Sequence, residues 1–313
     1  MGRYPRRAVS GAGEPWPRGG GGGAAWQRHR GGGPGLLVEG LGGRPRGAGG
    51  DGPFLLYLPY YTVHVPLQAK KEKEEKYAAK AGDEAHNNAV MAGMIESLDE
   101  NVGRLMDCLD EEGIAENTLV VFTSDNGGAW NASKQWPLRA GKGSYYEGGI
   151  RVPLIVRWPR CVKPGARSAE PVAGTDFLPT FLEAAGQPAP PDDEVDGVSL
   201  LPLLTGELEA FDRPIFFHFP IYLQKGNEET GDFKFRTRPG SVVRQGKWKL
   251  HEYFEDGRIE LYNLEEDLGE KENLASSLPD KANELLGILR DWRESIGAPV
   301  PTELNPLFQS ENG

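Results

Sequence analysis

The sequence predicts an α/β fold, a sheet flanked by helices, followed by a small antiparallel C-terminal sheet carrying a helix. Three observations predict it. Residues 54–58 (FLLYL) and 118–123 (TLVVFT) are apolar and lie either side of one long amphipathic stretch, the order of a strand–helix–strand unit. After about Gly226 the pattern changes to short runs separated by the turns Gln245-Gly-Lys and Glu255-Asp-Gly, an antiparallel meander. Residues 279–296 then repeat apolar positions at helical spacing and are expected to pack across that meander.

Composition divides the 313 residues into three parts. Residues 1–52 hold 19 of the 43 glycines and eight arginines, with no lysine and three acidic residues. Such a segment has too little periodic apolar content to offset its ordering entropy. It is expected to be either a disordered tail or, the preferred reading, GC-rich DNA translated in a wrong frame. An RGG-like nucleic-acid arm is disfavoured, because the aromatics are sparse. Residues 53–225 form the α/β body, and residues 226–313 a C-terminal subdomain of sheet and helix.

A net charge of -11 and a pI near 5.1 argue against a nucleic-acid surface and against a polybasic membrane anchor. Any anion recognition must therefore come from a few placed cations. Cys108 and Cys161 have neither CxxC spacing nor a histidine cluster beside them, so zinc and a disulfide framework are not expected. No apolar run approaches the roughly 18 residues of a transmembrane helix. The N-terminus lacks the apolar core of a signal peptide, and the compartment stays open.

Within the body, residues 54–58 read as a strand buried on both faces of a parallel sheet, and the loop beyond it carries His64. The charged run Lys70 to Lys76 reads as a solvated face. Residues 84–112 place Val90, Met94, Ile95, Leu98, Val102, Leu105, Met106 and Leu109 on one side of a long helix capped by Gly113. Cys108 within it reads as a packing residue. Strands follow at 118–123, 152–158 and 214–219. A short helix spans 176–185, opened by Thr175 or Asp176 and closed by Gly186. Residues 187–197 read as a surface loop, and 297–313 as a loose tail.

The chemistry concentrates between Leu119 and Arg151. Asp125-Asn126 follow the strand at 118–123, and ligands of α/β sheets bind beyond the carboxyl ends of strands. Their hard oxygen donors suit Ca²⁺ or Mg²⁺. Alone, the Asp-Asn-Gly triplet reads more simply as an ordinary turn. Lys142 lies between two glycines, which let a ligand approach its ammonium, and the spacing is not that of a Walker A loop. His64 by itself is as much a core histidine as an acid–base group.

Taken together these stretches resemble the type I, formylglycine-dependent sulfatases of the alkaline phosphatase superfamily. The resemblance rests on Pro53-Phe-Leu-Leu-Tyr-Leu-Pro with Val63-His-Val-Pro-Leu-Gln, on Asn117-Thr-Leu-Val-Val-Phe-Thr-Ser-Asp-Asn-Gly, and on Gly141-Lys-Gly-Ser-Tyr-Tyr-Glu-Gly-Gly-Ile-Arg-Val-Pro. It extends from about Pro53 to Pro301. It implies an alkaline-phosphatase-like fold and hydrolysis of sulfate esters at a Ca²⁺ site (Mg²⁺ possible), with a formylglycine hydrate as nucleophile. It makes Asp125 and Asn126 two of the metal ligands. Lys142 would bind the sulfate and neutralise charge on the leaving oxygen. His64 would contact the sulfate or protonate the leaving alkoxide. Glu147 and Arg151 would brace the loop.

One part of the family pattern is missing. The formylglycine precursor is the Cys or Ser of a C/S-x-P-x-R motif, and neither cysteine fits it. Ser277-Leu-Pro-Asp-Lys281 lacks the arginine and lies far along the chain from the family's position. The family's N-terminal Asp ligands, and the Lys and His that follow the nucleophile, have no counterpart. The expectation is a sulfatase truncated at its N-terminus, inactive as written, with half a metal site and poor solubility. Its ligand would be a sulfated small molecule or glycan. The rival readings are a phosphodiesterase or phosphonate hydrolase of the same superfamily, and a non-catalytic protein that binds sulfated glycans through Lys142 and His64.

Overall fold

A computed structural model describes residues 54–80, 82–83, 86–188, 195–224, 226–303 and 305. These all fall in one compact unit, Pro34–Gly313. The leader, 1–52, lies outside the described residues.

The first expected strand does not form. Residues 54–58 are irregular and lie open, with Leu55 80% and Tyr57 81% exposed. An apolar run becomes a buried strand only when other strands flank it, and here no strand among the described residues pairs with it. Among the described residues the parallel strand–helix–strand unit is therefore absent as well. What forms is a two-stranded antiparallel sheet, β1 (Val120–Thr123) with β2 (Leu154–Arg157), in which Val120 pairs with Arg157 and Thr123 with Leu154.

The charged run is a solvated face as expected, with its charged residues exposed except Lys73, and it forms a helix, α1 (Lys71–Ala78), lying against α2 (Ala89–Glu111). Its Lys73 is buried and pairs with Glu100 at 2.5 Å, while Lys76 pairs with Glu96 at 3.0 Å. Gly93 makes this approach possible, since a Cβ there would stand 2.9 Å from the Cβ of Ala69. Opposite charges on two helices thus do the joining that an apolar seam does elsewhere. The start of α2 is fixed by Asn88, whose Oδ1 accepts from the Met91 N–H at 3.0 Å. Beyond its end, Gly113 takes the left-handed conformation expected of it.

The short α3 (Glu147–Ile150) precedes β2. A 3-10 turn over Gly174–Asp176 leads into α4 (Phe177–Ala184), and Gly186 follows with positive φ. Asp176 does not cap that helix with its side chain. Its buried carboxylate accepts from the N–H groups of Ala173 and Val198 and pairs with Arg213, so it ties three segments together. One further helix, α5 (Leu201–Thr205), follows the 187–197 loop, of which 189–194 lie outside the described residues.

The C-terminal meander forms as expected over 240–263, and it takes in the 214–219 strand expected in the 53–225 body. Strands β3 (Ile215–Phe219), β6 (Gly240–Gln245), β7 (Trp248–Tyr253) and β8 (Ile259–Asn263) make one antiparallel sheet in that order. Between β3 and β6 in sequence, β4 (Leu223–Gln224) and β5 (Phe235–Thr237) pair with each other. Helix α6 (Pro279–Ser295) covers one face of the large sheet. Val243, Leu250 and Leu261 meet Ala282, Leu285 and Leu289 there, the main apolar core. Part of the expected loose tail is tethered, since His218 contacts the Pro299 carbonyl at 3.0 Å.

Candidate functional site

Asp125 and Asn126 follow β1 after Ser124. Asp125 is exposed, and Asn126 donates to its Oδ1 at 3.0 Å. The next residue must be glycine. A Cβ on Gly127 would lie 1.8 Å from the Gly148 carbonyl oxygen, closer than any side chain permits. That absence of bulk lets Gly127 N–H reach the Gly149 carbonyl at 2.9 Å. Lys142 N–H donates to the Gly128 carbonyl, also at 2.9 Å. Two glycine-lined loops are thereby knitted backbone to backbone, which brings the Asp125-Asn126 pair and Lys142 onto one assembly. Gly143, with φ of 85°, turns the chain after the lysine. Arg236 of β5 then secures it from the far side, donating to the Lys142 carbonyl at 3.1 Å.

The lysine loop is anchored from beneath by charge. Tyr145, Tyr146 and Glu147 insert against the face of the C-terminal sheet opposite α6. Tyr145 donates to the Gly240 carbonyl at 2.8 Å, and Tyr146 to Glu260 at 3.0 Å. Glu147 is buried and accepts from Lys249 at 2.9 Å. Lys249, fully buried on β7, also pairs with Glu270 at 2.8 Å, and Glu270 accepts from the Glu147 N–H at 2.5 Å. Arg244 and Arg151 stand 3.6 and 3.4 Å from the same Glu147 carboxylate. Glu147 and Arg151 therefore brace the loop. Arg139, at the loop's start, lies over the Tyr146 ring at 3.8 Å and donates to the Glu270 carbonyl.

This cluster sets the ionisation of its members. Burial alone would raise the Glu270 carboxyl, but the Lys249 ammonium and the His251 ring beside it prevail and hold it down at about 2. Burial pushes His251 below its ordinary value, so the ring is neutral. Burial, reinforced by the Glu260 carboxylate, raises the phenols of Tyr146 and Tyr262.

His64 stands apart. It is exposed, its Nδ1 is 3.0 Å from the Val65 carbonyl, and its ring packs on Tyr61 at 5.4 Å. Among the described residues no hydrogen bond, ion pair or ring contact joins it to Asp125, Asn126 or Lys142. The donor set for a cation is right in kind and short in number. Asp125 and Asn126 offer two hard oxygens where Ca²⁺ takes six to eight. Among the described residues no group of three or more His, Cys, Asp or Glu side chains completes a site.

Sequence reasoning missed the Lys249–Glu270–His251 cluster. In the run Trp248-Lys-Leu-His-Glu-Tyr, alternate polar residues signal a solvent-facing side. The only hint otherwise is that Lys249 and His251 share that side with Tyr253, an unusual grouping for open water.

Two family models match the chain: Sulfatase over residues 46–187, and N-sulphoglucosamine sulphohydrolase, C-terminal, over residues 141–289. A sulfatase from Formosa agariphila is 38% identical over 269 residues, covering 80% of this chain and 48% of that protein. The crystal structure of Ps i-CgsB in complex with k-i-k-neocarrahexaose is similar with a TM-score of 0.67 at 30% identity, over 83% of this chain and 53% of the other. A protein solved in complex with its substrate D-glucosamine-2-N,6-O-disulfate is similar with a TM-score of 0.56 at 28% identity, over 69% of this chain and 42% of the other. The chain thus spans about half the length of the relatives it matches.

Proposed function

Because this chain belongs to the sulfatase family, with its alkaline-phosphatase-like fold, we propose that it carries the metal-and-sulfate wall of a sulfuric ester hydrolase acting on a sulfated glycan. The observation that carries the reading is the backbone union of the Asp125–Gly128 loop with the Lys142 loop. It ties the backbone carrying Lys142 to the loop carrying two hard oxygen donors, which supports a cation and a metal site acting together on a dianionic transition state.

In this reading the Lys142 ammonium binds the sulfate and offsets negative charge as it moves to the leaving oxygen. Its backbone is clamped on both sides, so little reorganisation accompanies binding. His64, at the end of the 54–58 segment, contacts the sulfate or gives a proton to the leaving alkoxide. Asp125 and Asn126 would supply two ligands to Ca²⁺ (Mg²⁺ is the alternative), which when bound adds positive charge beside the sulfate oxygens. The nucleophile has no counterpart, since no C/S-x-P-x-R motif occurs in the 313 residues. These residues by themselves are therefore expected to bind sulfate esters without cleaving them. A glycan is favoured because two of the similar structures are complexes with a neocarrahexaose and a glucosamine disulfate.

The test is inorganic sulfate, measured by ion chromatography after incubating the chain with Ca²⁺ and either of those two sugars. No release above a protein-free control is expected. Release by the chain alone contradicts the reading.

A further inference from the structure

Among the described residues three apolar core clusters are buried, and all are built around the C-terminal sheet by α6 and the lysine loop. None contains a residue of α2, β1 or β2, although these elements are apolar in sequence. β1 reads Val-Val-Phe-Thr and β2 Leu-Ile-Val-Arg, and no residue of either strand is buried. Of the 23 residues of α2, only Gly93, Met94 and Leu109 are buried. Leu98, Val102, Leu105 and Met106 of its apolar stripe are half-buried, and Ile95 is 50% exposed.

The strand edges are as bare as the side chains. Among the described residues β1 pairs with β2 alone, so the outer edge of each strand is open. A pair of strands is marginal in water without a third strand or a helix packed on its apolar face. An open edge beside exposed apolar side chains, here Ile155 at 61%, is a template for another strand. The relatives identify what supplies it. The bare elements lie within residues 46–187, which match the Sulfatase model. The matching fold makes up only 53% of the solved chain that holds k-i-k-neocarrahexaose, and the match to the Formosa agariphila sulfatase only 48% of that protein. In those proteins the same elements are accompanied by about as much chain again, which this chain does not match.

We propose that α2, β1 and β2 form a docking surface for a polypeptide equivalent to that unmatched half, which adds strands to the β1–β2 pair and covers the apolar stripe of α2. The occupant carries strands that are apolar on the face turned to this chain. A second copy of this chain fits less well, because it brings the same bare strands and the same half-covered helix and no new core. The proposal goes beyond the sulfate reading and does not need it.

The test supplies the part of the Formosa agariphila sulfatase outside its match to this chain as a separate polypeptide. Both are dissolved in urea and diluted together, and a soluble 1:1 complex is expected on size exclusion. Within it, hydrogen exchange at the β1 and β2 amides not bonded in the pair is expected to slow about tenfold or more. Ile155→Lys and Ile95→Lys change exposed side chains on the proposed surface, and each is expected to weaken association about tenfold or more by burying an unpaired charge. Phe233→Lys, at a side chain 76% exposed between β4 and β5, is expected to leave association unchanged. Precipitation of the mixture, or a complex that Ile155→Lys and Ile95→Lys form as readily as wild type, overturns the proposal. A homo-oligomer of this chain that persists in the mixture identifies a second copy as the occupant and overturns it too. A complex that forms as expected but binds no sulfate ester upholds the docking and tells against the sulfate reading.

Discussion

Glu270 and His251 are buried side by side, and both make the protein sensitive to acid. The Glu270 carboxyl titrates at about 2 in the folded chain against an ordinary 4.5. A depressed carboxylate stabilises the fold above its unfolded value, and that contribution drains away as pH falls from about 4.5 toward 2. His251, held neutral below its ordinary 6.5, works in the same direction. The unfolded chain takes up that proton first, so stability declines as pH drops through about 6.5. Urea midpoints are expected to be flat above pH 7, to fall below 6.5 and to fall further below 4.5, with Glu270→Gln flattening the lower limb. A midpoint constant from pH 7 to 3 would refute this. At this scale the sequence was partly legible. The sequence picked out Asp125, Asn126 and Lys142 beside glycines, and the structure joins the two loops that carry them by backbone hydrogen bonds. His251 and Glu270 did not, because nothing local marks a charge that will be buried by a distant loop.

The C-terminal sheet works through both of its faces. One face, with Val243, Leu250 and Leu261, packs under α6, and its apolar spacing made it readable. The other receives Tyr145, Tyr146 and Glu147 and holds the lysine loop by ion pairs. Removing the shared cation by Lys249→Ala leaves Glu147 and Glu270 buried and opposed. The expected loss is about 3–5 kcal/mol in a urea titration, the usual consequence of breaking one side of a buried pair. A loss below about 1 kcal/mol would show that the loop is held by its tyrosines instead. The helices at 89–111 and 279–295 were legible because 3.6-residue periodicity is local information. The strand expected at 54–58 was not, because a strand is decided by its neighbours, and α1 was missed because it is held by ion pairs from Lys73 and Lys76 to α2 rather than by an apolar stripe.

Over the whole molecule, the unpaired 54–58 run is the plainest departure from expectation. Leu55, Tyr57 and Ile155 of β2 are all more than 60% exposed. Exposed apolar side chains beside an unpaired strand edge favour self-association. The chain is expected to sediment as oligomers at micromolar concentration, and Leu55→Lys with Tyr57→Lys is expected to shift it toward monomer. Monomeric wild type at those concentrations would contradict this. The central claim concerns Lys142 and is tested most directly by isothermal titration of k-i-k-neocarrahexaose into the chain in the presence of Ca²⁺. Wild type is predicted to bind, and Lys142→Ala, with an unchanged melting curve, to bind at least tenfold more weakly. Equal affinity in the two proteins, or no binding by either, would contradict the account.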